Sequence, residues 1–479
     1  MSNTSKSEDS ADLADAAEFI SQLSQTHTLK LDERLAAGKE LRGKCLRKDQ
    51  AALELPANRP DPVELLIENS QGRMEDLIPI RYGRMSANPF AFYRGAAAIM
   101  ASDLFHTPST GLNLQICGDC HLVNFGGFAT AERRLIFDIN DFDETSIAPW
   151  EWDMKRLVAS FVIAGRNNQF KKKDCHSAAR QAAQSYRNNI WKYAKMPVLD
   201  SWYDTMNMEE IIENIQDADI KRFYTKKLQK AVGQSAHEKE FAELAYISGD
   251  QPRIIDQPPL IFHYSDVRMD EFQYQAKQAI EDYYVSLSPE KRVLLERFKL
   301  VDLAVKVVGV GSVGTFCGIA LFMSGNGDPL FLQFKQAQQS VLEPYAGASP
   351  FEHAGQRVVI GQKLMQAASD LFMGWFTGKG EDRIQFYMRQ LKDAKIKPAV
   401  ELMKPANLNG YAELCGQALA RAHVRSGDAA ILAGYLGKSC AFEDALADFG
   451  VAYADQNELD YAVLMDAIRS GRIEAEMEV

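Results

Sequence analysis

The stretch Gln115–Gly126, QICGDCHLVNFG, can be read in two ways, and the fold turns on the choice between them. Cys117-x-x-Cys120-His121 is the spelling of a c-type haem attachment site. The same letters set Gly118-Asp119 shortly ahead of Asn124. A carboxylate followed at that spacing by an amide is how a phosphotransferase loop puts a proton acceptor beside a metal-binding oxygen.

Bulk properties weigh against haem. The chain has 479 residues, 46% hydrophobic and 25% charged, which describes an ordinary globular protein of about two to four domain-sized units. Its net charge of -11 implies no general nucleic-acid or anionic-membrane surface, while leaving room for a local basic pocket. The start, MSNTSKSEDSADLADAA, has neither a basic nor an apolar signal region, and no apolar run reaches the ~18 residues of a membrane span. Seven scattered cysteines do not make a disulfide framework, so the cytoplasm is the expected location. Covalent haem belongs outside that compartment. A zinc site lacks a second pair of ligands, and Asp119 between the cysteines disfavours a thiolate for redox chemistry.

The longer segment LNLQICGDCHLVNFGGFATAERRLIFDINDFDET predicts a strand over Leu112–Cys117, then a loop, then a hairpin turning at TAER. The hairpin ends in three carboxylates, Asp138, Asp141 and Asp143. Phosphoryl transfer needs one carboxylate to orient the attacking hydroxyl, and an amide and a second carboxylate for metal ions. Asp119, Asn124 and either Asp138 or Asp141 supply that set, and oxygen ligands suit magnesium.

This segment resembles the catalytic segment of the protein-kinase-like superfamily, in particular its aminoglycoside and choline kinase branch. That branch writes H-G-D-x-H-x-x-N, a hairpin, then I-D-[WF]-[DE]. Here the letters are Cys117-Gly118-Asp119-Cys120-His121-Leu122-Val123-Asn124, then Asn140-Asp141-Phe142-Asp143, with Cys117 in place of the first histidine and His121 at the second. The resemblance implies that Asp119 is the base or orienting group and that Asn124 and Asp141 bind metal, the DFD context favouring Asp141 over Asp138. It also implies that Asp153, in PWEWDMKRLVAS, braces the loop from beneath; otherwise Asp153 is a helix N-terminal carboxylate.

A kinase-like enzyme also needs a glycine loop and a phosphate-binding lysine, and residues 1–110 do not supply them. They occur later, in VKVVGVGSVGTFCGIALFMSGNGDPLFLQFKQAQQSVLEPY. Gly309, Gly311 and Gly314 spell GxGxxG, a weak signal alone. The residues after these glycines read as strand, turn and strand ending in Lys335, not as the helix and distant acid of a dinucleotide fold. Glu343 or Glu352 is the expected partner of Lys335. Next come a helix over AGQRVVIGQKLMQAASDLFMGW, with Val359, Leu364, Met365, Ala368 and Leu371 on one face, a strand over RIQFYMRQLKD, and a helix over YAELCGQALARAHVRSGDAA.

The order is rotated: catalytic loop first, small lobe second, remaining large-lobe helices last. The expectation is an α+β, two-lobed, circularly permuted kinase-like fold, with a small antiparallel β lobe and a larger, mainly helical lobe. Across most of the chain, with RMSANPFAFYRG, GDCHLVNFG and AYADQNE, the sequence is similar to the bacterial family labelled domain of unknown function 2252. The expected units are a polar tail and helical extension over 1–75, a catalytic-loop part with helical insertions over 76–300, a small nucleotide-binding lobe over 301–395, and C-terminal helices over 396–479.

Residues 1–28 are polar and expected to be disordered, 151–300 mainly helical, and RIIDQPPLIFHY an irregular connector. ADFG at 447–450 lies in a helical pattern, and His423 reads as a packing or capping residue. Arg81, Arg84 and Arg94 read as surface arginines, with Arg94 also a candidate phosphate or substrate contact. The expected function is ATP- and magnesium-dependent phosphoryl transfer to an unidentified small-molecule or protein acceptor, with no nucleic-acid or membrane partner. Nucleotidyl transfer on the same fold, or non-catalytic nucleotide binding, are the alternatives.

Overall fold

The computed structural model describes residues 19–21, 28–232, 241–249, 251–258, 260–263, 278–307, 309–310, 313–379, 382–391 and 395–477. Most of the expected polar tail lies outside the described residues, as does Gly311. The architecture is mixed α+β: a helical body, one six-stranded antiparallel sheet and, among the described residues, three two-stranded antiparallel pairs.

Helices α1 (Leu31–Glu40), α2 (Pro62–Glu68), α3 (Ile78–Ser86), α4 (Pro89–Gly95) and α5 (Ala97–Phe105) lead into β1 (Asn113–Ile116). The helical reading of FYRGAAAIMASDLF breaks at Ala96 (φ -106°, ψ 33°), which separates α4 from α5. The hairpin falls where the sequence put it, as β2 (Phe125–Ala129) and β3 (Leu135–Ile139), and β4 (Ser146–Pro149) returns to pair with β1. Helices α6 (Glu151–Asn167) and α7 (Lys172–Ala194) follow. The next helical stretch is interrupted, forming Met208–Glu213 and Ala218–Val232.

The connector RIIDQPPLIFHY is more regular than its prolines suggested. It carries the end of β6 (Gln251–Ile254), paired with β5 (Ala245–Ser248), and all of β7 (Ile261–Phe262). Likewise PEKRVLLERFKLVDL is helical only over Pro289–Leu295, and its end opens strand β8 (Phe298–Lys306). With β7, β9 (Cys317–Ser324), β10 (Pro329–Gln336), β11 (Gly374–Thr377) and β12 (Gln385–Gln390), it builds a six-stranded antiparallel sheet in the order β11-β12-β10-β9-β8-β7. Both faces of this sheet are covered. Ala320, Phe322, Leu332 and Phe334 pack on one side, and Ile319, Leu321 and Phe331 on the other. That is the strand period of two with apolar residues at every step.

Helix α8 (Ala354–Met365) packs beside β11 and β12. Its buried face includes Val359 and Met365, but the helix stops there, so Ala368 and Leu371 do not extend it and Leu371 is on the surface. The cause is local: the Gln366 side chain donates to Ile139 O at 2.6 Å, and Asp138 Oδ2 accepts Ala367 N at 2.9 Å, drawing the chain out of the helix. Helices α9 (Pro405–Ser426), α10 (Ala429–Leu436) and α11 (Ala441–Arg469) close the body around α6 and α7. Asp448 of ADFG sits within α11. Trp150 is fully buried and stacked on Tyr186 at 5.7 Å, which fixes the start of α6; burying one such ring stabilises by about 1.5–3 kcal/mol. Among the described residues, no helix is long and apolar enough to cross a membrane.

Candidate functional site

The loop Cys117–Asn124 is gripped from below by one face of α6. Asp153 accepts the amides of Cys117 at 2.8 Å and Gly118 at 2.9 Å. One turn on, Arg156 donates to Asp119 Oδ1 from Nε at 2.6 Å and from Nη2 at 2.5 Å. Ser160 Oγ then accepts Leu122 N at 3.1 Å. Residues three and seven apart share a helix face, so a single helix sets the whole loop. Gly118 has φ +81°, and a Cβ there would lie 2.3 Å from Glu144 O, so the turn into Asp119 needs glycine. Behind Asp153, His423 Nε2 lies 3.3 Å from Oδ2, and the other ring nitrogen is 2.9 Å from Tyr186 OH.

Asp119 has its second oxygen 3.6 Å from His121 Nε2. Burial, with Arg94 and Arg156 nearby, pushes the imidazole well below its usual range, so His121 is neutral. Burial works against the Arg156 charge, but the Asp119 carboxylate raises its pKa above the usual arginine value. The Asn124 amide donates to Asp119 O at 2.7 Å. Its side-chain oxygen has no protein donor among the described residues.

Asp119, His121, Asn124, Asp141 and Asp143 line one polar cleft. Arg94 of α4 and Gly309 and Thr315 of the glycine turn line it too. Asp141 is pushed above the usual carboxylate range by burial and by Asp143, with Lys335 and Arg389 opposing. Burial acts the same way on Asp143, but there the Lys335 charge wins and holds the carboxyl low. Asp143 accepts from Lys335 Nζ and, at 2.5 Å, from Tyr387 OH. Lys335 and Tyr387 are directly opposed on β10 and β12, so the sheet presents both to Asp143. Asp143 in turn raises the Lys335 pKa against the effect of burial.

Three expectations are corrected. Neither glutamate partners Lys335. Glu343 lies 3.7 Å from Arg357 Nε and accepts Ser340 N at 3.0 Å, while Glu352 is exposed beside an adjoining hollow. Helix α8 instead presents Arg357, which donates to Asp143 O and Gln338 O, both at 2.8 Å. Asp138 does not reach the cleft: it is fully buried and paired with Arg421 at 2.5 Å. Arg81 is no surface residue, being buried and bonded to Ser70 Oγ at 2.6 Å and Asn69 Oδ1 at 2.8 Å.

The glycine turn is tied to the helical body. Gly309 and Gly314 both have positive φ, +77° and +88°. Arg84 donates to Gly309 O, Arg73 donates to Val313 O at 2.7 Å, and Gly314 O accepts Met74 N at 2.7 Å.

Arg156, Tyr387 and Arg357 were missed in the sequence. Arg156 was signalled by its position three after Asp153, and Tyr387 by its alternation with Arg389 on the predicted strand. Cys117, Cys120 and Asp153 lie close enough to suggest a metal site. However, both Asp153 oxygens are already engaged, and burial raises both thiols, Cys120 to about 11. Both cysteines are fully buried, which leaves no access for attaching haem.

Fold and site together define an α+β protein whose six-stranded antiparallel sheet and helical body share a carboxylate-rich polar cleft. A family model described as "Uncharacterized protein conserved in bacteria (DUF2252)" matches residues 73–467, and the chain belongs to that family. Comparisons with curated proteins and with solved structures find no match.

Proposed function

We propose that this chain is an ATP- and magnesium-dependent phosphotransferase on a circularly permuted, two-lobed kinase-like fold, acting on an unidentified acceptor. The observation that carries this reading is the junction of Lys335 with Asp143, 192 positions apart, Asp143 lining the cleft together with Asp119, Asn124 and Asp141. Nothing in local chain geometry requires those segments to meet.

The residues fit the donor. Asp141, whose only protein hydrogen bond among the described residues is a long one of 3.4 Å from Asp143 N, and the Asn124 side-chain oxygen form a hard oxygen pair suited to magnesium. Gly309, Gly314 and Lys335 offer the small turn and cation that phosphates require, and Asp143 keeps Lys335 protonated. When bound, magnesium supplies charge neutralisation across the triphosphate. Asp119 is held by Arg156 through one oxygen, so the other faces the acceptor and takes the hydroxyl proton. Neutral His121 lies beside that oxygen and adds no competing charge. Fixing these groups before the ligands arrive is the main contribution of such a site.

The test is incubation with ATP labelled at the γ or α phosphate, magnesium and a metabolite extract. Transfer of γ label supports the reading. Transfer of α label replaces it with nucleotidyl transfer, and nucleotide binding without consumption reduces it to a binding protein.

A further inference from the structure

Arg94 differs from Arg156, Lys335, Arg357 and Arg73. Arg156 is engaged by Asp119, Lys335 by Asp143, and Arg357 by backbone carbonyls. Arg73 holds Asn69 O at 2.9 Å and Val313 O at 2.7 Å. Arg94 has no hydrogen bond or ion pair among the described residues, and its Nε is buried without a partner. Burial lowers its pKa, with only the more distant charges of Asp119 and Asp141 opposing. A largely buried guanidinium left unsatisfied is destabilising, and it becomes favourable once an anion fills the fork.

Its place in the cleft says which anion. Arg94 lines the cleft together with Asp119 and His121, whereas Lys335 is held by the Asp143 carboxylate. The donor phosphates already have Lys335 and the glycine turn. An anion on the Asp119 side would meet two carboxylates and be repelled without a cation there.

We propose that Arg94 is the anchor for an anionic group on the acceptor, so that the acceptor is a small hydroxylated molecule that also carries a phosphate or carboxylate. This rests on the phosphotransferase reading. Arginine rather than lysine suits the task because its planar fork binds either group through two parallel hydrogen bonds.

The test is calorimetric titration of the full chain with inorganic phosphate, with the donor site filled by magnesium and a non-hydrolysable ATP analogue. The loaded wild type binds phosphate; Arg94→Met weakens this at least about tenfold, while affinity for the analogue moves less than about threefold. Arg94→Lys falls between, and it carries the same comparison if Arg94→Met does not fold. Equal phosphate affinity in wild type and variants, or no phosphate binding to the loaded wild type, overturns the proposal. A loss confined to the analogue also overturns it, assigning Arg94 to the donor. If the analogue fails to bind the wild type, the phosphotransferase reading falls. Phosphate titration of the free chain then decides: loss in Arg94→Met upholds the anion anchor, and no difference removes it.

Discussion

Lys335 Nζ and the Asp143 carboxylate meet at the seam between the sheet and the segment that follows the β2–β3 hairpin, and Tyr387 donates to the second oxygen of the same carboxylate. Both charges are largely withdrawn from water, with side chains 4% and 28% exposed. Removing one partner therefore strands the other. Lys335→Met is expected to destabilise the fold by about 3 kcal/mol, and Asp143→Asn by a similar amount. The double variant loses less than the sum, because the stranded charge is gone. Denaturant unfolding of the four proteins measures this, and strict additivity would contradict the pairing.

On the proposed phosphotransferase reading, replacing Asp119 by asparagine removes the proton acceptor while keeping its size. Label transfer from γ-labelled ATP is expected to fall about 10²- to 10⁴-fold, with nucleotide affinity largely retained. Chelation of magnesium abolishes transfer in both proteins. Asp141→Asn raises the magnesium concentration needed for half-maximal activity.

Gly118→Ala forces a side chain into a left-handed turn and onto Glu144 O. The strain costs about 1–3 kcal/mol, and relief requires moving Asp119. Both a lower unfolding midpoint and loss of transfer are expected, whereas Gly43→Ala, where a Cβ meets nothing within 4 Å, changes neither through crowding.

His263 offers a pH dependence away from the cleft. Its ring lies between Asp302 at 3.1 Å and Asp256 at 2.7 Å, and its pKa is raised first by the bond to Asp302, with burial opposing. A pKa raised on folding stabilises fully below the unfolded value of 6.5 and loses that contribution as pH rises through the folded value. Melting temperatures should fall more steeply above pH 6.5 in the wild type than in His263→Gln, and parallel curves would refute the assignment.

The elements were largely readable because their signals are local. Alternation marked β1, β9, β10 and β12, and helical spacing marked α6, α7, α9 and α11. The DFD context singled out Asp141, and the structure puts Asp141, rather than Asp138, in the cleft. What could not be read was partnership. Lys335 takes Asp143 rather than a downstream glutamate because β10 and β12 aim it at the hairpin end, a matter of sheet register and not of spacing. Helix limits failed for a similar reason: α8 ends where Asp138 and Ile139, more than two hundred positions earlier, capture Ala367 and Gln366.

The residues that hold the loop and the hairpin are themselves backed from a helix distant in sequence. Arg421 holds Asp138, and His423 backs Asp153, across 283 and 270 positions. Ribosomes deliver a chain from its N-terminus, so the loop and α6 are made early and these outer contacts follow later. Every nascent molecule therefore holds the loop and its supporting helix α6 well before the outer contacts from Arg421 and His423 can form.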